Sequence, residues 1–341
     1  MWLMIRTLVI GVFGAVIAYW LGLPSAWLIG ALIAVVVSAV GGIRVAMPTA
    51  TSSIVSLFLG ISVALNIEID LVDQLIHWGR SAVLMCFMMA ALLYVMYRYY
   101  ARLPGWRKDD ALFCAVPGNL AIMLSMAAEK NANVRRISLV HSVRLLFLVF
   151  LVPLFLPVAE RDVSLHGFYI EHPEQMVATV LLAIGLGWLL QKVRVPAAML
   201  VGGILATLIL KLGFGWHWRF PDMMMLSLLV FLGCAIGSRF NGLVLNDVIP
   251  ELKAATGGLF ITLLISGGFA AALHFFLDIP WTQAMLAYAP GGMEVMIAIA
   301  MNQDVDALFV ATHQMFRMLM MSMIIPLLML LIKQRDVSKI I

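Results

Sequence analysis

The chain has 341 residues, of which 63% are hydrophobic and only 12% are charged, with a mean hydropathy of +1.04 and a formal net charge of +4. Soluble domains are about 45–50% apolar and about 25% charged, so this composition excludes a soluble globular protein and points to lipid as the solvent. The 22 basic residues are spread between apolar runs. This spread excludes the dense basic patch of a nucleic-acid-binding protein.

Five apolar segments in each half of the chain are predicted to span the membrane, because a spanning helix needs about 20 apolar residues. In the first half the predicted spans are 3–21, 24–41, 50–66, 81–99 and 137–158. In the second half they are 175–192, 196–213, 222–239, 254–277 and 309–332. One segment per half remains, 111–128 and 284–301, and each carries a Pro-Gly pair near its start.

The two halves match one another at a nearly constant offset. The matches are Pro24 with Pro196 and Gly30 with Gly202 at 172 residues, and Pro48 with Pro221, Pro117 with Pro290, Gly118 with Gly291, Arg144 with Arg317 and Pro153 with Pro326 at 173 residues. Several well-spread matches at one offset indicate a duplication. We therefore predict two membrane repeats, 1–160 and 170–335, within one integral membrane domain.

The orientation of the repeats depends on whether the Pro-Gly segments cross the membrane. Lys and Arg in short loops collect on the cytoplasmic side. If each Pro-Gly segment re-enters, 16 basic residues lie inside and 4 outside, with Arg144 and Arg317 within spans; if each crosses, the division is 12 and 8. The charges therefore favour an all-α polytopic fold of about ten transmembrane helices in two inverted five-helix repeats, each with a broken, re-entrant segment. Both termini then lie in the cytoplasm.

The Pro-Gly segments are the first candidate site. Proline lacks a backbone N–H and glycine permits positive φ, so the pair interrupts a helix. Lipid cannot satisfy the freed backbone groups, which must be buried by protein or reached by water. Paired breaks in inverted repeats are typical of transporter sites, and the restarting half-helix attracts anions at its N-terminus. The candidate substrate-binding residues are Pro117, Gly118, Asn119, Pro290, Gly291 and Gly292. The alternative is a proline-kinked helix packed on a neighbour.

Two arginines, Arg144 and Arg317, lie within apolar helices at equivalent places. A charge there costs at least about 2.5–3.5 kcal/mol on insertion scales, so each arginine is expected to have a structural or functional role. Each guanidinium could bind a substrate carboxylate, or could cap the carbonyl end of the neighbouring broken helix. His141 and Gln314 precede the arginines by three residues, share their helix faces and are candidate substrate-binding residues with them. His141 could relay protons or could be a hydrogen-bonded structural group.

Glu294 follows Pro290 by four residues, and the matching place in the first half is Ala121. This carboxylate is a candidate proton or cation site, or a partner for an arginine. The alternative is a helix-start carboxylate that interacts with the helix dipole. Asp306 and its match Asn133 stand just before the arginine helices and are expected to cap them.

Several functions find no support in the sequence. There is no Walker motif, which argues against an ATP-driven pump, and no two of the seven histidines are three or four residues apart, which argues against a helix-borne copper or iron site. Cys86, Cys114 and Cys234 share no short spacing and indicate neither disulfides nor a metal site. We expect no cofactor, no nucleic-acid partner and no enzymatic activity.

The segments VPGNLAIMLSMAAEKNANVRRISLVHSVRLL and APGGMEVMIAIAMNQDVDALFVATHQMFRML resemble the duplicated repeat of the bacterial AbrB-type membrane proteins. Members of that family are often labelled as ammonia monooxygenase or as regulators of aidB expression. The second half keeps the family pattern of Pro-Gly-Gly, an aspartate and Gln-x-x-Arg, whereas the first half has Asn119, Asn133 and His141 instead of glycine, aspartate and glutamine. The resemblance covers nearly the whole chain and implies a bacterial inner-membrane protein.

These observations predict a secondary transporter of a small anionic or zwitterionic solute, with coupling to H⁺ or Na⁺ left open. The alternative is a membrane-embedded regulator that affects gene expression indirectly and transports nothing. The expected partners are the lipid bilayer and a small-molecule solute, and a homo-oligomer is compatible with the sequence. The second half keeps the fuller set of motif residues, so we expect more of the function there.

Overall fold

The computed structural model describes residues 2–67, 71–117, 120–154, 156, 172–193, 195–218, 220–242, 249–303 and 305–337, and these residues form helices and no strands. The helices are α1 (Trp2–Trp20), α2 (Ala26–Val40), α3 (Ala50–Leu65), α4 (Leu71–Ala101), α5 (Lys108–Ala115), α6 (Leu120–Glu129), α7 (Val134–Leu154), α8 (Pro173–Lys192), α9 (Ala198–Phe214), α10 (Asp222–Gly237), α11 (Ile249–Leu277), α12 (Trp281–Tyr288), α13 (Met293–Asn302) and α14 (Ala307–Val337). A 3₁₀ turn, Ser238–Phe240, follows α10. The predicted all-α polytopic fold is confirmed.

Seven stretches of helix in the described residues are long and apolar enough to cross a membrane. They are Trp2–Trp20, Trp78–Ala101, Val134–Leu154, Pro173–Lys192, Asp222–Phe240, Glu251–Leu277 and Ala307–Ile324. The other three predicted spans form α2, α3 and α9, which have 15, 16 and 17 residues. These helices are about 22–26 Å long, shorter than the hydrocarbon core of about 30 Å. Each packs against a helix of the other half, so protein as well as lipid surrounds them.

Both Pro-Gly segments are broken helices, and proline explains where the first half-helix ends. The residue before a proline is forced out of the helical region by the ring. Val116 and Ala289, which precede Pro117 and Pro290, have extended ψ angles of 120° and 124° and end α5 and α12. The chain becomes helical again at Leu120 in α6 and at Met293 in α13. Gly118 and Asn119 lie outside the described residues.

The first broken segment enters and leaves on the same face of the molecule. At its start, Arg107 Nη1 donates to the carbonyl oxygen of Asn131 at 2.9 Å, and Asp110 Oδ1 accepts the N–H of Asn133 at 2.8 Å. The beginning of α5 therefore lies beside the end of α6. Helices of 8 and 10 residues are about 12 and 15 Å long, half the thickness of the hydrocarbon core. These contacts favour re-entry over crossing.

The centre of the molecule is built from helices of both halves in close contact. A Cβ atom on Gly60 of α3 would meet the carbonyl oxygen of Leu200 in α9, and one on Gly203 would meet that of Leu57. Small residues let membrane helices approach until their backbones touch. The pair α2 and α10 packs in the equivalent way, with Gly233 against Leu28.

The helix directions bear on the orientation of the repeats. Equivalent places in the two halves are held by α3 and α10, and these helices run in opposite directions. Ser52, near the start of α3, lines the same cavity as Arg239, which follows the end of α10. Further along α3, the ring centroid of Phe58 lies 6.3 Å from that of Phe220, which precedes α10. Opposite directions are what inverted repeats require. The repeat boundaries 1–160 and 170–335 and the inversion itself stay predictions.

The two arginine helices begin as the sequence predicts. The side chain of Asn133 accepts the N–H of Arg136 at 3.0 Å, and Asp306 accepts the N–H of Phe309 at 3.0 Å. Each acceptor therefore satisfies one of the N–H groups that the first turn of a helix leaves without a partner. The predicted caps of α7 and α14 are confirmed.

Candidate functional site

In the second half, Gln314 and Arg317 of α14 cap the carbonyl end of the broken helix α12. Arg317 donates through Nη1 to the carbonyl oxygen of Ala289 at 2.8 Å and through Nη2 to that of Gly291 at 2.9 Å. Gln314 Nε2 donates to the carbonyls of Leu286 at 2.7 Å and Ala289 at 3.0 Å. The last carbonyls of a helix have no partner within it. The two side chains therefore supply what the break removes.

The first half repeats this arrangement with a histidine in place of glutamine. His141 Nε2 donates to the carbonyl of Phe113 at 2.9 Å, and Arg144 Nη2 makes a long contact of 3.5 Å with that of Val116. The partners are 28 residues apart in each case: 113 with 141, 116 with 144, 286 with 314, and 289 with 317. The capping alternative that the sequence left open for the arginines is therefore present in both halves.

The hydrogen bonds of His141 determine its tautomer. Its Nε2 faces the carbonyl oxygen of Phe113, which only accepts, so Nε2 carries the hydrogen. Its Nδ1 lies 2.9 Å from Arg144 Nη2, which only donates, so Nδ1 accepts. The ring is therefore neutral and both nitrogens are occupied. This geometry favours the structural alternative for His141 over the proton relay.

The arginines also face a cavity of about 650 Å³ between the two breaks. Its lining residues are Ser52, Pro117, Leu124, Ser138, His141, Ser142, Arg144, Leu145, Arg239, Pro290, Gly291, Gly292, Met293, Glu294, Arg317 and Met318. From the predicted set, the structure thus brings together Pro117, His141, Arg144, Pro290, Gly291, Gly292, Glu294 and Arg317. Gln314 is fully buried and is not part of the lining. Capping and substrate binding are therefore compatible roles for the arginines.

The charges around this cavity are unbalanced. Among its described lining residues, Arg144, Arg239 and Arg317 are cationic and Glu294 alone is acidic. Arg317 is only 3% exposed, and its Nε atom is buried without a hydrogen-bond partner. A buried charged donor without a partner is costly. An anion in the cavity would offset the positive charge of these arginines.

The N-terminus of α13 opens onto the same cavity. Gly292, Met293 and Glu294 lie at the start of this half-helix and all three line the cavity. The first four N–H groups of a helix have no intrahelical partner and carry a partial positive charge. The helix start therefore adds to the positive potential of the arginines.

Glu294 is held by a residue from the other half of the chain. Its Oε1 accepts the hydroxyl hydrogen of Ser56, in α3, at 3.0 Å. Glu294 also lines a second cavity of about 340 Å³, together with Ser52, Ser53, Ser56 and Gln191. Within the described residues no arginine forms an ion pair with this carboxylate, so the structure does not contain the predicted pair between Glu294 and an arginine.

Sequence reasoning missed two parts of the site. Arg239 was counted only as a loop charge, and its match in the first half is Asn66, so no repeated motif marks it. The serines carried a usable signal, because Ser52 and Ser56 are four residues apart and share one face of a helix without charged residues.

The fold and site together define a polytopic helical membrane protein with two broken helices, each capped by an arginine, around a central cavity. The chain belongs to the AbrB family, since residues 27–333 match the family model described as "Transition state regulatory protein AbrB". It is similar to "Putative regulator AbrB" of Escherichia coli (strain K12), with 24% identity over 304 residues, 87% of this chain and 86% of that protein. It is also similar to "Uncharacterized protein YhjN" of Bacillus subtilis (strain 168), with 26% identity over 302 residues, 79% of this chain and 75% of that protein. No solved structure matches the chain.

Proposed function

We propose that this protein is a secondary transporter of a small anionic or zwitterionic solute, whose anionic group binds between the two helix breaks. The observation that carries the proposal is the cavity lined by Arg144, Arg317 and the start of α13. Helix N-termini and arginines are the groups that bind carboxylates and phosphates most readily. Broken helices at matching places in two repeats are the usual setting for such a site in transporters.

The dimensions of the cavity support a small-molecule ligand. Its volume of about 650 Å³ lies within the range of about 300–1,000 Å³ that is common for ligand pockets. Arg317, which lines it, is held by two backbone carbonyls, so little of its side-chain entropy would be lost when an anion binds. An arginine that only capped a helix would not need to face an open cavity.

The cavity is open at Arg239. Arg239 is exposed, and Ser138 lies near the start of α7, next to Arg135 and Arg136. The charge distribution of the sequence assigns these arginines to the cytoplasm. We propose that the structure represents an inward-facing state of a bacterial inner-membrane protein with both termini in the cytoplasm.

Uptake by proteoliposomes tests the proposal. We expect the purified protein to accumulate at least one member of a panel of organic acids and amino acids under a sodium or proton gradient, and Arg317→Leu to abolish this uptake. Arg102→Gln is the matched control, because Arg102 is an exposed arginine that does not line the cavity. If no gradient moves any solute, the transport proposal is wrong.

The name of the Escherichia coli relative favours a second candidate, a membrane protein that regulates gene expression indirectly. No described element resembles a nucleic-acid-binding module, so such an effect would have to pass through a solute or another protein. The two functions are compatible if the transported solute is the signal. Arg317→Leu separates them: a regulatory effect that persists after uptake is lost would favour regulation without transport.

A further inference from the structure

A cluster of polar side chains lies beside the arginine-lined cavity and the proposed anion site does not use it. Ser52, Ser53 and Ser56 of α3, Gln191 of α8 and Glu294 of α13 line the 340 Å³ cavity. Glu294 and Ser52 also line the larger cavity, so the two spaces adjoin. Every polar side chain of this cluster offers an oxygen atom.

The fold itself does not need these polar groups. At the offset of 173 residues, Ser52, Ser53 and Ser56 correspond to Met225, Leu226 and Leu229 of α10, and Glu294 corresponds to Ala121. The equivalent helix α10 packs with apolar side chains at these places, and Leu226 and Leu229 are buried. Hydroxyl and carboxyl groups inside a membrane protein are costly unless they serve a purpose. Their presence on one side of the duplication therefore indicates a function.

The hydroxyl group of Ser56 faces two acceptors. Its Oγ lies 2.8 Å from the carbonyl oxygen of Ser52 and 3.0 Å from Glu294 Oε1, and both of these oxygens are acceptors when Glu294 is ionised. A hydroxyl group has one hydrogen and can serve only one acceptor at a time. A cation bound by Ser56 Oγ and Glu294 would remove the conflict, as would a proton on Glu294 that is donated to Ser56 Oγ, because the hydroxyl hydrogen of Ser56 is then donated to the Ser52 carbonyl alone.

We propose that Glu294, Ser56, Ser52 and Ser53 bind a sodium ion that is co-transported with the anionic solute. This proposal rests on the proposed transport function. Hard cations bind carboxylate, hydroxyl and carbonyl oxygens. A proton would engage only the carboxyl group of Glu294 and the hydroxyl of Ser56, and the hydroxyls of Ser52 and Ser53, which also distinguish α3 from α10, would then be superfluous.

The surrounding charges supply the coupling between the ion and the solute. The groups that face this region are Arg144 and the neutral His141 of α7, Arg317 of α14 and Arg239 after α10, while α3 and α8 contribute no charged side chain to the lining of either cavity. Without an anion, these arginines and the start of α13 repel a sodium ion. A bound anion neutralises them, so sodium affinity rises, and by linkage sodium raises the affinity for the anion to the same degree.

The first test measures binding by thermal unfolding of the full-length protein in detergent. Sodium chloride is compared with choline chloride at equal ionic strength and pH, with and without succinate, glutamate or inorganic phosphate. We expect sodium to raise the unfolding midpoint of the wild type only when a stabilising anion is present. Glu294→Gln should lose the sodium effect, and Ser56→Ala should need several-fold more sodium. Ser227→Ala is the control, since Ser227 is an exposed serine of α10 with the same bond to the carbonyl four residues earlier.

The second test measures uptake with and without an inward sodium gradient. We expect a gradient to raise wild-type uptake, Ser56→Ala to shift the sodium dependence to higher concentration, and Ser227→Ala to behave as the wild type. Uptake that follows a pH gradient and ignores sodium would overturn the sodium site while transport stood. Sodium-driven uptake that persists in Glu294→Gln would do the same. If no anion binds and no uptake occurs, the proposed function fails and the sodium site fails with it.

Discussion

The two halves of the molecule contain the same capped helix break but differ in the residues beside it. In both, an arginine and the residue three positions before it cap a broken helix 28 residues upstream. Beside the second break stand Glu294 and the serines of α3, whereas the matching places in the other arrangement are apolar. The duplicated residues are therefore those that satisfy the carbonyl groups of a broken helix in lipid. Glu294 and the serines of α3 are not duplicated, so they are not needed for this task.

The capping itself is also unequal. Arg317 makes two carbonyl bonds of 2.8 and 2.9 Å, and Gln314 contacts three carbonyls. Arg144 has one long carbonyl contact of 3.5 Å and shares its Nη2 with His141. We expect the second half to be the more sensitive to substitution, and the predictions below test this comparison.

Arg317→Leu should have the largest effect. It leaves the carbonyl of Gly291 without its donor, which costs about 1–3 kcal/mol, and it removes the charged donor of the Ala289 carbonyl, to which only Gln314 then donates from a side chain. We expect the free energy of unfolding in detergent to fall by about 2–5 kcal/mol and anion uptake to be lost. Arg144→Leu should cost less stability. Equal losses in the two variants would contradict the inequality of the halves.

Gln314→Leu should reduce stability but leave anion binding unchanged. The side chain is fully buried and donates to carbonyls of α12, yet it does not line the cavity. We expect a loss of about 2–4 kcal/mol in the free energy of unfolding. Anion affinity, measured on the folded fraction, should stay close to that of the wild type. A large loss of affinity at unchanged stability would place Gln314 at the binding site instead.

Asp110→Asn should weaken the base of the first hairpin. Asp110 is 2% exposed, pairs with Arg136 at 3.2 Å and accepts the N–H of Asn133. Asparagine can still accept the N–H of Asn133 but lacks the negative charge that pairs with Arg136. We therefore expect the free energy of unfolding to fall by about 1–3 kcal/mol. Chemical labelling of an Ala132→Cys thiol should become faster, because Ala132 is buried in the intact hairpin. Asp109→Asn is the control, because Asp109 pairs with Arg107 at an exposed position.

His141→Gln should have the smallest effect. Glutamine holds the equivalent place in the second half and can donate to the carbonyl of Phe113 as His141 does. We expect a change of less than about 1 kcal/mol in stability and an unaltered pH profile of uptake. A shifted pH profile would revive the proton-relay hypothesis for His141.

Much of the fold follows from the sequence because its determinants are local. Proline forces Val116 and Ala289 out of the helix, and Asn133 and Asp306 cap the helices that follow them. The roles of the arginines could only be narrowed to two alternatives, since a sequence does not say whether a carbonyl or a ligand lies before a guanidinium. The structure adds that the Arg317 guanidinium contacts backbone carbonyls and also faces a cavity.

The parts of the site that the sequence did not reveal are those assembled across the halves. Ser56 and Glu294 meet over 238 residues of chain, and no local pattern predicts such a contact. Arg239 joins the cavity only because α10 packs against α2 and α3.

The difference in chain separation has a consequence for synthesis. Each arginine reaches a carbonyl 28 residues upstream, so a capped hairpin can close soon after its own helices are inserted. The bond between Ser56 and Glu294 must wait until nearly the whole chain has been made. On this order of events, the emerging first half shields its broken helix from lipid early. The place proposed for sodium comes into existence last, when the two halves dock.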